Sequence, residues 1–366
     1  MPRPPAPAPI RVGLREIAAA AGVSVMTVSL ALRGNPRISV ATRDRIKRLA
    51  DELGYHPDPE LSRLMNHLRT SRTARGKIGI ALVDFYPTPH FVENAYNAKL
   101  RRGAERRATE LGFSVSPMHA ADYHLNLRHL LKVIRARGIE GALLLPSVVP
   151  TELDASANWN GISVLSTSKS LLAPRFHCVV PNQFGNTMRL FETLEASGHR
   201  RIAAVFDETF DERTAHNFTA AVSWKPRDRA TLIVPQAVSA PERLDLVARW
   251  LAQQEPEAVF AQSDAVTAAL PRLRRLRPTL SFQVISLGVH HSNGFPYVDE
   301  GAELIGAAAI DLLGGMIYYH ETGIPAHPRT TLIDGQLVLT RKTFGRRPPL
   351  TAQVEPSRAK QLRVES

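Results

Sequence analysis

The chain has 366 residues, 44% of them hydrophobic, enough for a sizeable core split over two or three domains, and a formal net charge of +12. The basic balance favours a polyanionic partner, nucleic acid or an anionic membrane surface. The solitary Cys178 rules out an intrachain disulfide and suits a reducing compartment, read here as the cytoplasm.

Residues 1–11 are rich in proline and lack the apolar stretch of a signal peptide, so they read as a disordered arm. No run of about 18 apolar residues is expected to span a membrane. Residues 14–33 read as two short helices joined by a tight turn. Ala18 is small enough for close helix approach, and Gly22 can take a positive φ without steric cost. Ser24 suits an N-cap, while Ile17, Ala21, Val28 and Leu32 supply apolar contacts. This is the pattern of a helix-turn-helix whose second helix enters the DNA major groove. An ordinary αα-hairpin in a globular core carries the same spacing.

A third helix is expected over 42–53, with Ile46, Leu49, Ala50 and Leu53 on one face and Gly54 as its stop. Residues 1–76 hold 13 Lys+Arg against 6 Asp+Glu, which favours DNA over a merely solvated basic face. Pro57, Asp58 and Pro59 then suit a helix start, followed by Leu61, Leu64, Met65 and Leu68 at i, i+3, i+4, i+7 spacing.

The run Leu14–Thr73 resembles the DNA-binding head and hinge of the lactose/galactose-repressor (LacI/GalR) family. The resemblance rests on Ala-Gly-Val-Ser (21–24), Thr-Val-Ser (27–29), Arg-Gly-Asn-Pro-Arg-Ile-Ser (33–39), Thr-Arg-Asp-Arg-Ile (42–46) and Leu-Gly-Tyr-His-Pro-Asp (53–58). It continues more weakly to about Gly345. On this footing the chain divides into an arm (1–11), a head (12–57), a hinge helix and linker (58–76), an effector-binding and dimerisation domain (77–345) and a disordered tail (346–366).

Beyond the hinge, apolar strands alternate with helices: strands near 77–84, 113–117, 141–146, 161–166, 201–206, 258–261 and 282–287, and helices near 95–111, 126–137, 185–197, 241–254 and 264–275. Such alternation implies an α/β fold with parallel sheets flanked by helices. Two blocks fit, 77–180 and 181–310, with the remaining segment crossing back. The resemblance implies a two-lobed, periplasmic-binding-protein-like domain, and ligands of open α/β sheets bind beyond the carboxyl ends of the strands.

For DNA contact, Ser24, Thr27 and Ser29 carry hydroxyls able to bond phosphate, and Arg15 and Arg33 add charge. The resemblance places base reading at Val25, Met26 and Leu30. Where Leu30 stands many relatives have Arg, and the three apolar side chains here can contact thymine methyls but make no bidentate hydrogen bond. Leu30 could instead turn inward against the third helix. Leu64 matches a leucine that wedges between base steps in the minor groove, and two heads on a homodimer would suit palindromic half-sites.

For the effector, the resemblance points to His90, Phe91, Arg213, Asp264 and His290. His290 stands where the family often has Asp, which favours a ligand with an anionic group over a neutral hexose. His290 and His291 read equally well as exposed loop residues. The chain shows no Gly-x-Ser-x-Gly, His-Glu-x-x-His, phosphate-binding glycine loop or paired cysteines. His119, His124 and His129 fall on different faces if they share a helix, so no metal site, cofactor or enzymatic activity is expected. The expected protein is a homodimeric, effector-controlled transcription regulator, a repressor in the first instance. The alternative is a cytoplasmic sugar-binding or sugar-processing protein with a vestigial head.

Overall fold

Three short amphipathic segments build the head by burying one face each: α1 (Leu14–Ala21), α2 (Val25–Leu32) and α3 (Val40–Glu52). Ile17, Val28, Ala31 and Ile46 are fully enclosed where the helices meet. Gly22 ends α1 at φ 62°, a left-handed conformation that glycine adopts freely, and Val23 N–H closes back on the Ala18 carbonyl at 3.1 Å. The chain turns through 103° between α1 and α2. Ser24 caps α2, its Oγ accepting from Thr27 N–H at 3.1 Å, and Ser39 caps α3 from Thr42 N–H at 3.3 Å. Arg45 donates to the Ala21 carbonyl at 3.0 Å, tying α3 to the turn. The third helix therefore starts two residues earlier than expected, and Leu53, expected in the core, is 38% exposed just past its end.

This computed structural model describes residues 13–32, 38–55, 77–87, 94–224, 229–261, 263–287 and 296–338. The expected arm, hinge helix and tail lie outside them.

The first lobe is a parallel sheet in the order β13-β7-β5-β3-β1-β2, from β1 (Gly79–Asp84), β2 (Ser114–His119), β3 (Ile139–Leu144), β5 (Ser163–Ser166), β7 (His177–Pro181) and β13 (Thr330–Ile333). A small pair, β4 (Thr151–Glu152) and β6 (Leu171–Ala173), sits beside it. Strand β1 shows why the sheet lies inside: Ala81 and Val83 pack on the side of α5 (Leu127–Ala136), while Ile80 and Leu82 pack on the side of α4 (Ala95–Glu110) and α11 (Ala302–Tyr319).

The second lobe has the order β14-β12-β11-β10-β8-β9, from β8 (Ile202–Asp207), β9 (Arg229–Val234), β10 (Ala258–Ala261), β11 (Gln283–Leu287), β12 (Tyr297–Asp299) and β14 (Gln336–Val338). Only β14 pairs antiparallel. One face is covered by α6 (Gln183–Ala196) and α8 (Asn217–Ser223), with Phe191, Phe206, Phe218 and Phe260 packed together, and the other by α9 (Ala240–Gln254) and α10 (Ser263–Leu276). A short α7 (Glu208–Arg213) follows β8.

Two expectations need correction. The second block does not run on to residue 310: the chain leaves it after β12 at Asp299, α11 returns to the first lobe, where Ile305, Ala309, Ile310 and Leu313 are fully buried, and only β14 later rejoins the second lobe. Helix α11 is also long and apolar enough in composition to cross a membrane, against the expectation of no such run. Here it packs on α4, and its only acidic residues pair with that helix, Glu303 with Arg102 and Arg106 and Asp311 with Arg107 at 2.7 Å. The helices approach closely because Gly306 lies on α4: a Cβ there would meet the Leu100 carbonyl oxygen at 2.1 Å. His119, His124 and His129 share no helix; His119 ends β2, His124 follows a 3-10 turn over 120–123, and His129 lies in α5.

Three connections join the lobes, at 182, 300–301 and 334–335. At the first, Asn182 accepts from Gly185 N–H at 3.1 Å, capping α6. At the third, Gly335 N–H donates to Asn186 Oδ1 at 2.9 Å.

Candidate functional site

Two surfaces carry chemistry, one on the head and one between the lobes. On the head, α2 buries Val28 and Ala31 and turns Met26 (70% exposed) and Val25 (42% exposed) outward. Leu30 is half-buried and lies outside the apolar cluster of the head's described residues. The outer face of α2 is thus apolar, and no residue of this helix carries a charge. Ser24 and Thr27 share a hydroxyl–hydroxyl bond of 2.9 Å at its start, so the phosphate-bonding hydroxyls expected there also hold the turn. The other two helices of the head carry exposed basic groups, Arg15 on α1 and Arg45, Lys47 and Arg48 on α3. Arg33 and Leu64 lie outside the described residues. An apolar exposed helix face on a head that also carries exposed basic groups suits a duplex, since phosphates supply affinity and base edges supply discrimination.

Between the lobes, Arg213 is the expected residue that the structure places most clearly. It ends α7 in the second lobe and reaches across to the first, donating from Nη1 to the Ser147 carbonyl at 3.3 Å. Its guanidinium lies 5.2 Å from the centre of the Phe210 ring. Ser147 follows β3 and is buried, its N–H bonded to Ser170 Oγ at 2.9 Å. That hydrogen bond and the ring contact are the partners of Arg213 among the described residues. Burial holds the guanidinium below its ordinary pKa, with Glu300 and Tyr96 acting against the shift.

Glu300 sits on the second connection. Gln183, at the start of α6, hydrogen-bonds it, and its Oε1 is buried with no partner among the described residues. Burial raises its carboxyl to about 7; Gln183 and Arg213 oppose the rise and Asp299 adds to it. Tyr96, in the first turn of α4, is held well above the ordinary tyrosine value by burial and by Glu300, with Arg213 opposing. Tyr96 and Ser147 from the first lobe, Gln183 and Arg213 from the second, and Glu300 from the second connection therefore line one place.

Sequence reasoning missed Tyr96, Gln183 and Glu300. None belongs to a motif, and the Asp-Glu-Gly before α11 looks like any acidic helix start. His90, Phe91 and His290 lie outside the described residues. Asp264 falls in the first turn of α10, and its side chain is likewise not described. A second acidic group, Asp84 at the carboxyl end of β1, is fully buried, bonded to His119 Nδ1 at 2.7 Å and near Arg101 at 3.4 Å. Among the described residues no three His, Cys, Asp or Glu side chains cluster to hold a metal.

Comparison with known proteins gives two family matches in succession. Residues 13–58 match the model for bacterial regulatory proteins of the lacI family, and residues 81–276 match the model for periplasmic binding proteins and the sugar binding domain of the LacI family. The chain is 27% identical over 194 residues to the maltose regulon regulatory protein MalI of Escherichia coli (strain K12), covering 53% of this chain and 53% of that protein. It thus spans about half the length of that relative. It is 24% identical over 273 residues to the HTH-type transcriptional regulator DegA of Bacillus subtilis (strain 168), covering 72% of this chain and 76% of DegA. Among solved structures, the lac repressor dimer bound to operator and the anti-inducer ONPF has a similar fold, with a TM-score of 0.52 and 17% identity over 92% of this chain and all of that one.

Proposed function

The chain belongs to the lacI family of bacterial regulatory proteins, and from that premise we propose that it represses transcription by binding a pseudo-palindromic operator as a homodimer, under the control of a small molecule held between its lobes. The observation that carries this reading is the pairing, in one chain, of an α1–α2 turn of 103° presenting an exposed outer face with a two-lobed domain bridged by Arg213. Helices crossing at such an angle place the second in the major groove. One head offers little area, so two are needed for useful affinity. The site is a genome, so the working compartment is the cytoplasm.

Within this reading Arg15, Ser24, Thr27, Ser29 and Arg33 grip phosphates, and Val25, Met26 and Leu30 face the bases. Leu64 wedges into the minor groove at the centre of the operator. The effector is a sugar or sugar derivative in contact with Arg213, and His90, Phe91, Asp264 and His290 complete its pocket.

Binding-site selection followed by footprinting tests the proposal. A protected pseudo-palindrome, with affinity falling steeply as salt rises, is expected. Sequence-independent protection alone would overturn it and favour a ligand-binding protein with a vestigial head.

A further inference from the structure

Arg213 and Glu300 leave matching gaps between the lobes. A guanidinium cannot shed its charge by losing a proton, so a desolvated one needs a counter-charge. Here it has a neutral carbonyl at 3.3 Å and no carboxylate within salt-bridge distance among the described residues. The Ser147 carbonyl offers one neutral acceptor atom and takes one N–H of Arg213 here, whereas the guanidinium fork fits two carboxylate oxygens at once. Glu300 has the complementary defect, a buried Oε1 without a donor or acceptor among the described residues.

We propose that the space between the lobes takes a small hydroxylated carboxylate, gripped through its carboxylate by Arg213 in place of the Ser147 carbonyl, with Glu300 hydrogen-bonded to the same ligand. This rests on the reading of that space as the effector site. It narrows the effector from sugars in general to their acids.

The groups facing Glu300 set its part. Arg213 favours its charged form, Asp299 and burial favour its neutral form, Gln183 bonds it, and Tyr96 stays neutral nearby. An arriving anion draws off the help of Arg213 and adds a negative charge, so the bound complex carries the protonated Glu300. The acid form then donates to a ligand oxygen through its O–H. Binding takes up a proton, and affinity falls above about pH 7, approaching tenfold per pH unit. A neutral polyol behaves oppositely: its hydroxyl donates best to ionised Glu300, so its affinity rises with pH and then levels.

The test uses matched pairs on the full-length protein: gluconate against sorbitol, glucuronate against glucose, and glycerate against glycerol. Calorimetry between about pH 6 and pH 8.5 in two buffers of different ionisation heat reads affinity and proton uptake together. The expected result is that an acid binds and its neutral twin does not, with proton uptake and weakening at high pH. Glu300→Gln keeps the acid's affinity and flattens its pH profile, because the amide mimics the protonated carboxyl. Arg213→Met abolishes acid binding, and unchanged circular dichroism shows that this variant is folded.

Preference for a neutral twin, failure of every acid to bind, or an acid affinity unchanged in Arg213→Met overturns the proposal. Operator affinity, measured alongside, separates the two readings. A neutral sugar that changes it keeps the effector site and discards the acid. An acid that binds through Arg213 without changing it keeps the ligand class and discards the control of DNA binding.

Discussion

Asn182 donates from Nδ2 to Asp334 Oδ1 at 2.8 Å, across 152 residues of sequence, and so ties the first connection between the lobes to the third. Backbone reinforces the tie, since Asn182 N–H donates to the Ile333 carbonyl at 2.8 Å. Arg189 adds to it, contacting Asn186 Oδ1 at 2.6 Å and the Gly335 carbonyl at 3.1 Å. Opening or closing the lobes must turn this knot as a unit.

Asn182→Ala removes both the cap of α6 and the link to Asp334. A lost cap costs about 1 kcal/mol, so the thermal midpoint drops by a few degrees. Ligand-induced stabilisation changes as well, because the connections no longer move together. Differential scanning calorimetry with and without ligand checks both effects.

Gly306→Ala places a methyl group 2.1 Å from the Leu100 carbonyl oxygen. Backbone cannot yield as a flexible side chain does, so α11 must move off α4. A cost of about 1–3 kcal/mol or more is expected, read as a lowered urea midpoint. Gly315→Ala, where nothing lies within 4 Å of the added carbon, serves as the control.

The exposed apolar face of α2 predicts a methyl-dependent operator. Replacing thymine by uracil in the selected half-site removes only the 5-methyl group. Each contacted methyl contributes about 0.8 kcal/mol, so affinity falls about fourfold per thymine read. Met26→Ala lowers affinity for the thymine site and leaves the uracil site nearly unaffected. Equal loss on both duplexes means that Met26 does not meet a methyl group. Leu30→Arg shifts the selected sequence toward guanine if Leu30 faces the groove.

Glu300 predicts how stability depends on pH. Its folded carboxyl titrates near 7 and an ordinary one near 4.5, so between these values the folded protein holds the extra proton. Stability therefore falls as pH rises through that window. Glu300→Gln removes the fall, raising the thermal midpoint at pH 8 and changing it little at pH 4.5. The gain is at most about 3.5 kcal/mol, from a rise of about 2.5 pKa units at about 1.4 kcal/mol each. A gain of the same size at both pH values would place its origin in packing instead.

Legibility followed the range of the interaction. The head is held by neighbours in sequence: Gly22 and Ser24 act within a few residues and their roles could be read directly, whereas the Ser39 cap was not anticipated and the third helix begins before the expected 42. Strands buried on both faces, such as Gly79–Asp84 and Ala258–Ala261, announced themselves by apolar runs. The short strands Tyr297–Asp299, Thr330–Ile333 and Gln336–Val338 did not, because their sheet partners are distant and some of their side chains face water. Helix α11 was not anticipated, and the block boundary at 310 falls inside it, because its apolar character is nearly all-round and names no partner. Arg213 was reached through resemblance. Glu300 became visible once its burial and its neighbours were fixed in space.

The return of α11 to the first lobe imposes an order on synthesis. Ribosomes deliver the chain from its N-terminus, and domains fold as units when complete. When residue 300 emerges, the second lobe lacks only its antiparallel edge strand β14, while Ile80, Leu82, Leu100 and Leu143 still await the helix that covers them. The lobe nearer the N-terminus therefore receives its covering helix only after the second lobe's core is nearly complete. A product ending before α11 leaves that apolar face open, the kind of transiently exposed surface that makes incomplete chains prone to aggregation.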